Sequence, residues 1–393
     1  MSEPYFSRPE YENRWRQVHQ QMRERNLSAA VVWGRSGGTY DRAGDVLYLT
    51  NYYGNNSGQG YDNPHTQCRA FSAVILQEGE EPELVIDDSW PHRNLLATER
   101  IRFSRNPTQG VAQALKARHI TGTVGLCGTD FFPMKYWRQL QDETRMLSWA
   151  DADGLVLQVR RIKSARELMA VREAGRIASQ AMTRMIEALL SGESEAKAAA
   201  EAAREVVRNG GAVHMIPCSH GELIEYFVAK PLPGYSQSTP APGDLVRAFV
   251  YGPMFEGYYS DPGRTLVVGR RMSKPQRELI ESCAELCESL LGAIRPGMAV
   301  RELASMGDRR AAEFDQDQAA EKFPLYGHGL GLFFEKPYIS TLMGEPEDVL
   351  LEGMVVGIEC FLARKGVGSA GFEQNAIITS AGAELITTTP MRW

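Results

Sequence analysis

The text that decides the fold is EGMVVGIECF, residues 352–361, followed by GFEQNAII, residues 371–378. Each run is strand-like, rich in β-branched and other apolar residues, and each holds one glutamate, Glu359 or Glu373, where a packed sheet ordinarily takes a neutral side chain. Two further segments share this feature: GYYSDPGRT from Gly257, which carries Asp261, and YGHGLG from Tyr326, which carries His328. An ionised carboxylate buried without a partner is too costly to keep, so such acids must be paired with cations, protonated, or wrapped around a metal. Asp261, His328, Glu359 and Glu373 make an oxygen-rich set with one imidazole, which suits manganese, iron(II), cobalt or zinc and suits neither an all-thiolate zinc site nor a calcium loop. Residue types alone leave a second reading open, in which Arg264 pairs with Asp261 and single strand acids face solvent.

Working outward, the 393 residues are 43% hydrophobic, 23% charged and 9% aromatic, which predicts two to three packed units rather than disorder. With 43 Lys and Arg against 49 Asp and Glu, a net charge of -6 and no block of like charge, the chain lacks the footprint of a nucleic-acid binder. A small-molecule or peptide substrate is the expected partner. No window approaches the roughly 18 apolar residues of a membrane span, and the start MSEPYFSRPEYENRW has no apolar signal core, so no membrane association and a soluble, cytoplasmic protein are expected. The six cysteines are scattered without a CxxC pair and read as structural thiols, with Cys283 and Cys287 on the buried side of one helix.

The first 150 residues alternate a helix-compatible segment, 10–25, with β-like runs at 29–33, 45–50, 73–76 and 84–86, which predicts an α/β domain. YYGNNSGQGYDN, 52–63, reads as a long loop and a candidate binding loop or lid. After a last apolar run, 154–159, Ser164 and Glu167 form an S-x-x-E capping box, and Leu168, Val171, Ala174, Ile177, Ala181, Met185 and Leu189 recur at helical steps. Further helices are predicted over 194–208 and from Ser273, with Pro275 early inside the latter, and strands over 245–250, 258–268, 354–362 and 372–378.

GDLV at 243–246, GYYSDPGRT from Gly257, GHGLGL from Gly327, EGMVVGIE from Glu352 and GFEQNAIIT from Gly371, in that order, resemble the creatinase, aminopeptidase P, prolidase and methionine aminopeptidase family. RRIKSARELMAVREAGRIASQAM from Arg160 is similar to the start of that family's catalytic domain. The resemblance implies an α/β (α+β) protein: a creatinase-like N-terminal α/β domain over 1–155, then a pita-bread catalytic domain over 156–393. It also implies a homodimer with the loop at 52–63 and Arg69 near the partner's cleft.

Family metallopeptidases hold two ions with two aspartates, one histidine and two glutamates. By resemblance the second aspartate is Asp261, the histidine His328 and the glutamates Glu359 and Glu373. The first aspartate falls within Ala248-Phe249-Val250-Tyr251, where no ligand stands. The ligands of the other ion are all kept, so the resemblance implies one divalent ion (manganese, iron, cobalt or zinc) per subunit, or none if the chain is creatinase-like. Two substrate-binding histidines of the peptidases are replaced, one near Tyr226-Phe227 and one at Glu335; His214 and His220 are near in sequence to the first.

These departures place the chain closer to a creatinase-like non-peptidase member than to a standard dinuclear metallopeptidase. The expected function is hydrolysis of a C–N bond in a small nitrogenous substrate, with His328, Glu359, Glu373 and Tyr259 as catalytic residues and Tyr258, Phe227, Glu335 and Arg69 as substrate contacts. The alternative is an Xaa-Pro dipeptidase or aminopeptidase. Further alternatives are a metal-dependent lyase and a catalytically inactive binding module, whose pocket the aromatic strip Phe249, Tyr251, Phe255, Tyr258 and Tyr259 would line.

Overall fold

The computed structural model describes residues 4–36, 42–54, 57–59, 68–89, 91–225, 227–230, 232–314 and 325–393. The chain divides into two compact units, Met1–Arg160 and Arg161–Trp393. The first holds a six-stranded mixed sheet in the spatial order Ile101–Phe103, Glu83–Ile86, Phe71–Leu76, Ala29–Arg35, Thr123–Cys127, Ser148–Asp151. Its core packs Val31, Trp33, Ile75 and Val85 against Val111 and Leu115 of the helix Pro107–Ala117.

One early run differs from its reading. Residues 45–50 lie in a short helix, Gly44–Thr50, not a strand. So short an apolar run is ambiguous in period, and its surroundings decide it. Asn51 closes the helix in the left-handed region at φ 58°, while Arg14 Nη1 and Trp15 Nε1 donate to the carbonyls of Tyr48 and Leu49 at 2.9 and 2.8 Å. The run at 154–159 is likewise a turn leading into the short helix Leu157–Arg160. Arg160 pairs with Asp45 at 2.8 Å, which ties that helix to the first unit. Most of the loop at 52–63 lies outside the described residues.

The second unit is an eight-stranded antiparallel sheet. Its order is Phe334–Tyr338, His328–Leu330, Val355–Arg364, Gly368–Thr379, Gly263–Val267, Leu245–Phe249, Cys218–His220, with Gly382–Leu385 also paired to Gly368–Thr379. Helices Ala165–Leu190, Glu195–Arg208, Lys274–Ala293 and Val300–Phe314 accompany it. Ser164/Glu167 and Ser273/Gln276 form complete capping boxes, and Ser194 accepts from the Lys197 N–H. Leu279, Cys283, Leu286, Cys287 and Leu290 of the third of these helices pack on Ile358, Cys360 and Phe372 of the sheet. The thiols of Cys283 and Cys287 approach the carbonyls of Cys360 and Ile358 at 3.2 and 3.3 Å, as packed hydrophobes with weak donors do. Among the described residues no helix is long and apolar enough to cross a membrane.

The predicted strand 258–268 is broken in two. Tyr258–Ser260 pairs with Gly252–Phe255 in a separate hairpin, whereas Gly263–Val267 joins the main sheet. Asp261-Pro262 makes the break, since proline has no N–H to give to a ladder. Asp261 is thereby placed at a strand end beside the glutamate strands.

Candidate metal centre

The acids converge because of register. Glu359 and Glu373 stand directly opposite each other across the pair Val355–Arg364 and Gly368–Thr379, so both side chains lie on one face. Gly263 opposes Glu373 on the other side, and His328 opposes Gly357. Glycine is required at 357: a Cβ there would lie 2.3 Å from Glu373 Oε1 and 3.2 Å from Asn375 Nδ2.

Asp261, His328 and Glu373 each present a ligand atom within 4.8 Å of the others, and all three are buried. Glu359 joins them through His328, whose Nε2 lies 3.9 Å from Glu359 Oε1 and 3.9 Å from Glu373 Oε1. Asn375 organises the acids from behind. Its Oδ1 accepts from the Asp261 N–H and from Ser260 Oγ, each at 2.7 Å, and its Nδ2 donates to the Asp261 carbonyl at 3.2 Å and to Glu373 Oε1 at 3.4 Å.

Arg264 does not pair with Asp261. Its fully buried guanidinium donates to the carbonyls of Gly263, Glu373, Thr389 and Pro390 and to Gln374 Oε1, at 2.5 to 2.8 Å. It fixes the backbone that carries Glu373 and leaves the carboxylates uncompensated. Burial pushes the Glu359 carboxyl up to about 8. Asp261 is raised by burial and then by Glu359; Glu373 is raised by burial and then by Asp261 and Glu359. Burial lowers His328 to about 4, so its imidazole is neutral at pH 7. Nδ1 of His328 lies 3.1 Å from the Gly329 carbonyl, an arrangement that places the proton on Nδ1 and leaves the Nε2 lone pair for the acids.

These residues fit a divalent ion. The buried Asp261 Oδ1 has no hydrogen-bond partner among the described residues, and a neutral imidazole faces three crowded carboxyls. A cation would satisfy all of these groups at once, and the donor set is that of manganese, iron, cobalt or zinc.

No ligand for a second ion stands at 248–251. Phe249 stacks on Phe361 at 5.6 Å and meets Phe227 at 5.3 Å, in space that a Cβ at Gly263 would fill. Val250 is buried, and Tyr251 donates its hydroxyl to Met215 Sδ at 3.0 Å. Burial, then the charges of Asp261, Glu373 and Glu359, raise the pKa of Tyr251, so its hydroxyl keeps its proton.

The expected substrate contacts separate. Tyr258 is buried with its hydroxyl donating to Glu167 Oε1 at 2.6 Å, so it anchors the hairpin to the helix Ala165–Leu190. The Glu335 carboxylate pairs with Lys163 Nζ at 2.8 Å, both side chains being 1% exposed. Phe227 is exposed, with its ring against Phe249. The side chain of Arg69 and the whole of Tyr226 lie outside the described residues. Tyr259, with its hydroxyl 3.4 Å from His214 Nδ1, belongs to a wall of rings that includes Tyr251, Phe333 and Phe334. Phe334 reaches His328 at 4.6 Å between centroids. The sequence reading named Tyr251 and Tyr259 in an aromatic strip but missed Lys163, Asn375 and the part that Phe333 and Phe334 take in this wall; Asn375, two residues past Glu373 on the same strand face, carried the one periodic signal.

Residues 169–380 match metallopeptidase family M24. An Xaa-Pro dipeptidase of Pyrococcus furiosus is 30% identical over 276 residues, 68% of this chain and 74% of that protein. A putative dipeptidase of Bacillus subtilis is 26% identical over 96% of this chain and 98% of its own length. Among solved structures, the prolidase of Pyrococcus horikoshii superposes with a TM-score of 0.76 at 21% identity, covering 96% of this chain and 99% of its own. Aminopeptidase P of E. coli does so with 0.75 at 19% identity, covering 100% and 97%. The fold is the pita-bread arrangement, and the chain is a hydrolase of the metal-dependent kind that acts on C–N bonds. The chain belongs to metallopeptidase family M24.

Proposed function

We propose that the protein hydrolyses the C–N bond of a small Xaa-Pro dipeptide or closely related amide, using one divalent ion held by Asp261, His328, Glu359 and Glu373. One observation supports the single-ion reading: Asp261, His328 and Glu373 bring ligand atoms within 4.8 Å of one another, with Glu359 Oε1 3.9 Å from His328 Nε2 and Asp261 Oδ1 without a hydrogen-bond partner among the described residues, while 248–251 offers only apolar and aromatic side chains. The relatives named Xaa-Pro dipeptidases favour a peptide-like substrate over the non-peptide compound expected from sequence.

When bound, the ion supplies polarisation of the scissile carbonyl and a lowered pKa for water, from 15.7 toward about 7. The chain supplies the rest. Glu359 would be a carboxylate once the ion takes the place of its proton, and because burial raises its proton affinity it is the base that would accept the proton of the attacking water. Glu373 is held by Asn375 and by the Arg264 bond to its carbonyl, so its carboxylate keeps a fixed position. His328 stays neutral and oriented by Gly329.

A second reading, a non-peptide nitrogenous substrate, is favoured by the Lys163–Glu335 pair, which seals the position where the peptidases carry a histidine. A panel of Xaa-Pro dipeptides and creatine-like compounds with added manganese tests both. Turnover of the dipeptides at about 1 to 10³ per second, the ordinary range for enzymes, supports the first reading; turnover confined to the other compounds supports the second.

A further inference from the structure

His214 reaches the wall of rings from a segment where the family resemblance expects no histidine. Its N–H donates to the Tyr251 carbonyl at 3.1 Å, and the adjacent Met215 forms a bridge with Tyr251, which pins the segment beside the hairpin that carries Tyr259. The imidazole stands edge-on to Tyr251 at 5.3 Å and to Tyr259 at 6.1 Å, and lies 5.7 Å from Phe333. From Phe333 the wall continues through Phe334, at 4.7 Å, to the ring of His328, at 4.6 Å. One end of this wall is thus a buried ligand candidate, and the other is an exposed imidazole steadied through Nδ1 by the Tyr259 hydroxyl at 3.4 Å.

Cleavage of a C–N bond needs a proton on the departing nitrogen, because an amide anion is a poor leaving group. Glu335 cannot give one, since its carboxylate is locked to Lys163, and Phe227 has none to give. The other described histidine of this region, His220, is bound to Glu195 through Nδ1 at 2.5 Å. His214 remains as an imidazole on the same wall as the metal centre.

We propose, resting on the C–N hydrolase reading, that His214 is a catalytic residue that touches the substrate and protonates the departing nitrogen. As the C–N bond breaks, its electron pair goes to nitrogen, which takes a proton from the His214 imidazolium. The water gives its hydroxyl to the carbonyl carbon and its proton to Glu359; that proton leaves to solvent, and solvent reprotonates His214. One water is consumed and no other reactant is needed.

The test uses the manganese-loaded full chain with His214→Phe, which keeps ring packing, and His214→Gln, which keeps a polar tip at this exposed site. On the dipeptide that the wild type turns over best, kcat falls about 10²- to 10⁴-fold in both variants, the range for loss of a general acid, with ion content unchanged. On a p-nitroanilide of the same acyl group, whose leaving nitrogen needs little protonation, the loss shrinks to within tenfold. Activity within threefold of wild type in either folded variant, or equal losses on both substrates, overturns the assignment. A wild type silent on the whole substrate panel overturns the hydrolase reading and this role with it.

A second readout needs neither metal nor turnover. The Cε1–H nuclear magnetic resonance signal assigned to His214 by its loss in His214→Gln shifts when L-proline, a product that keeps the departing nitrogen, is added. A His214 signal that stays still at millimolar L-proline overturns the contact.

Discussion

Glu359 and Glu373 are directly opposed across their strand pair, and Nε2 of one histidine, His328, lies 3.9 Å from an oxygen of each. Like charges so placed repel, and both are buried, so the chain without its ion must hold them protonated. The pH dependence follows in sign. Glu359 has a folded pKa of about 8 against an ordinary 4.5, so the folded state binds the proton more tightly than the unfolded chain does. Its stabilising contribution is complete below the ordinary value and is lost as pH rises through about 8. Urea midpoints of the chelated protein should therefore fall between pH 5 and 9, and added manganese should remove the trend. A chelated protein that gains stability over that range contradicts this placement of the carboxyls.

Loading the ion should itself stabilise the fold, more strongly at higher pH, because the ligands must shed protons to bind it. Differential scanning calorimetry with and without manganese at pH 6 and pH 8 reads this. The larger rise in melting temperature is expected at pH 8.

Asn375 holds the backbone of Asp261 and the carboxylate of Glu373 without being a ligand. Groups in that relation to a metal typically change its affinity 10- to 100-fold when removed. Asn375→Leu should weaken manganese binding by about that factor in a competition titration, while the circular dichroism spectrum stays that of the wild type. Unchanged affinity would mean that the carboxylates hold their positions without it.

The pair Lys163–Glu335 is sealed from water at both ends. Lys163→Met or Glu335→Leu alone leaves a buried, uncompensated charge and should cost about 3–5 kcal/mol, whereas the double variant should recover most of the loss. For the same reason Glu335→His, which restores the peptidase residue type, should destabilise the protein until Lys163 is changed too. Chemical denaturation of the five variants checks the pattern.

Legibility divided along physical lines. Signals confined to one element were readable: Ser164 with Glu167 closes as a capping box, a helix opens after Ser273, and the apolar runs that hold Glu359 and Glu373 lie in the strands Val355–Arg364 and Gly368–Thr379. Relations that depend on distant partners were not. Lys163 and Glu335 are 172 residues apart, and the first gives no local sign that it will neutralise the second. Arg264 looked like the partner of Asp261, three residues away, but its guanidinium is drawn to the carbonyls of Pro390 and Thr389 across the sheet. The run at 45–50 misled because its helix is held by Arg14 and Trp15 of another helix, not by its own period. Tyr258 and Tyr259 were both expected at the site from sequence, yet strand alternation sends one hydroxyl to Glu167 and the other toward His214.

The central claim is a single-ion centre built on Asp261, His328, Glu359 and Glu373. Metal content per chain, measured by mass spectrometry after saturation with manganese and removal of free ion, tests it most directly, beside an Asp261→Ala control. One ion per chain, lost in the control, is the predicted result. Two ions per chain, or one that survives Asp261→Ala, would contradict it.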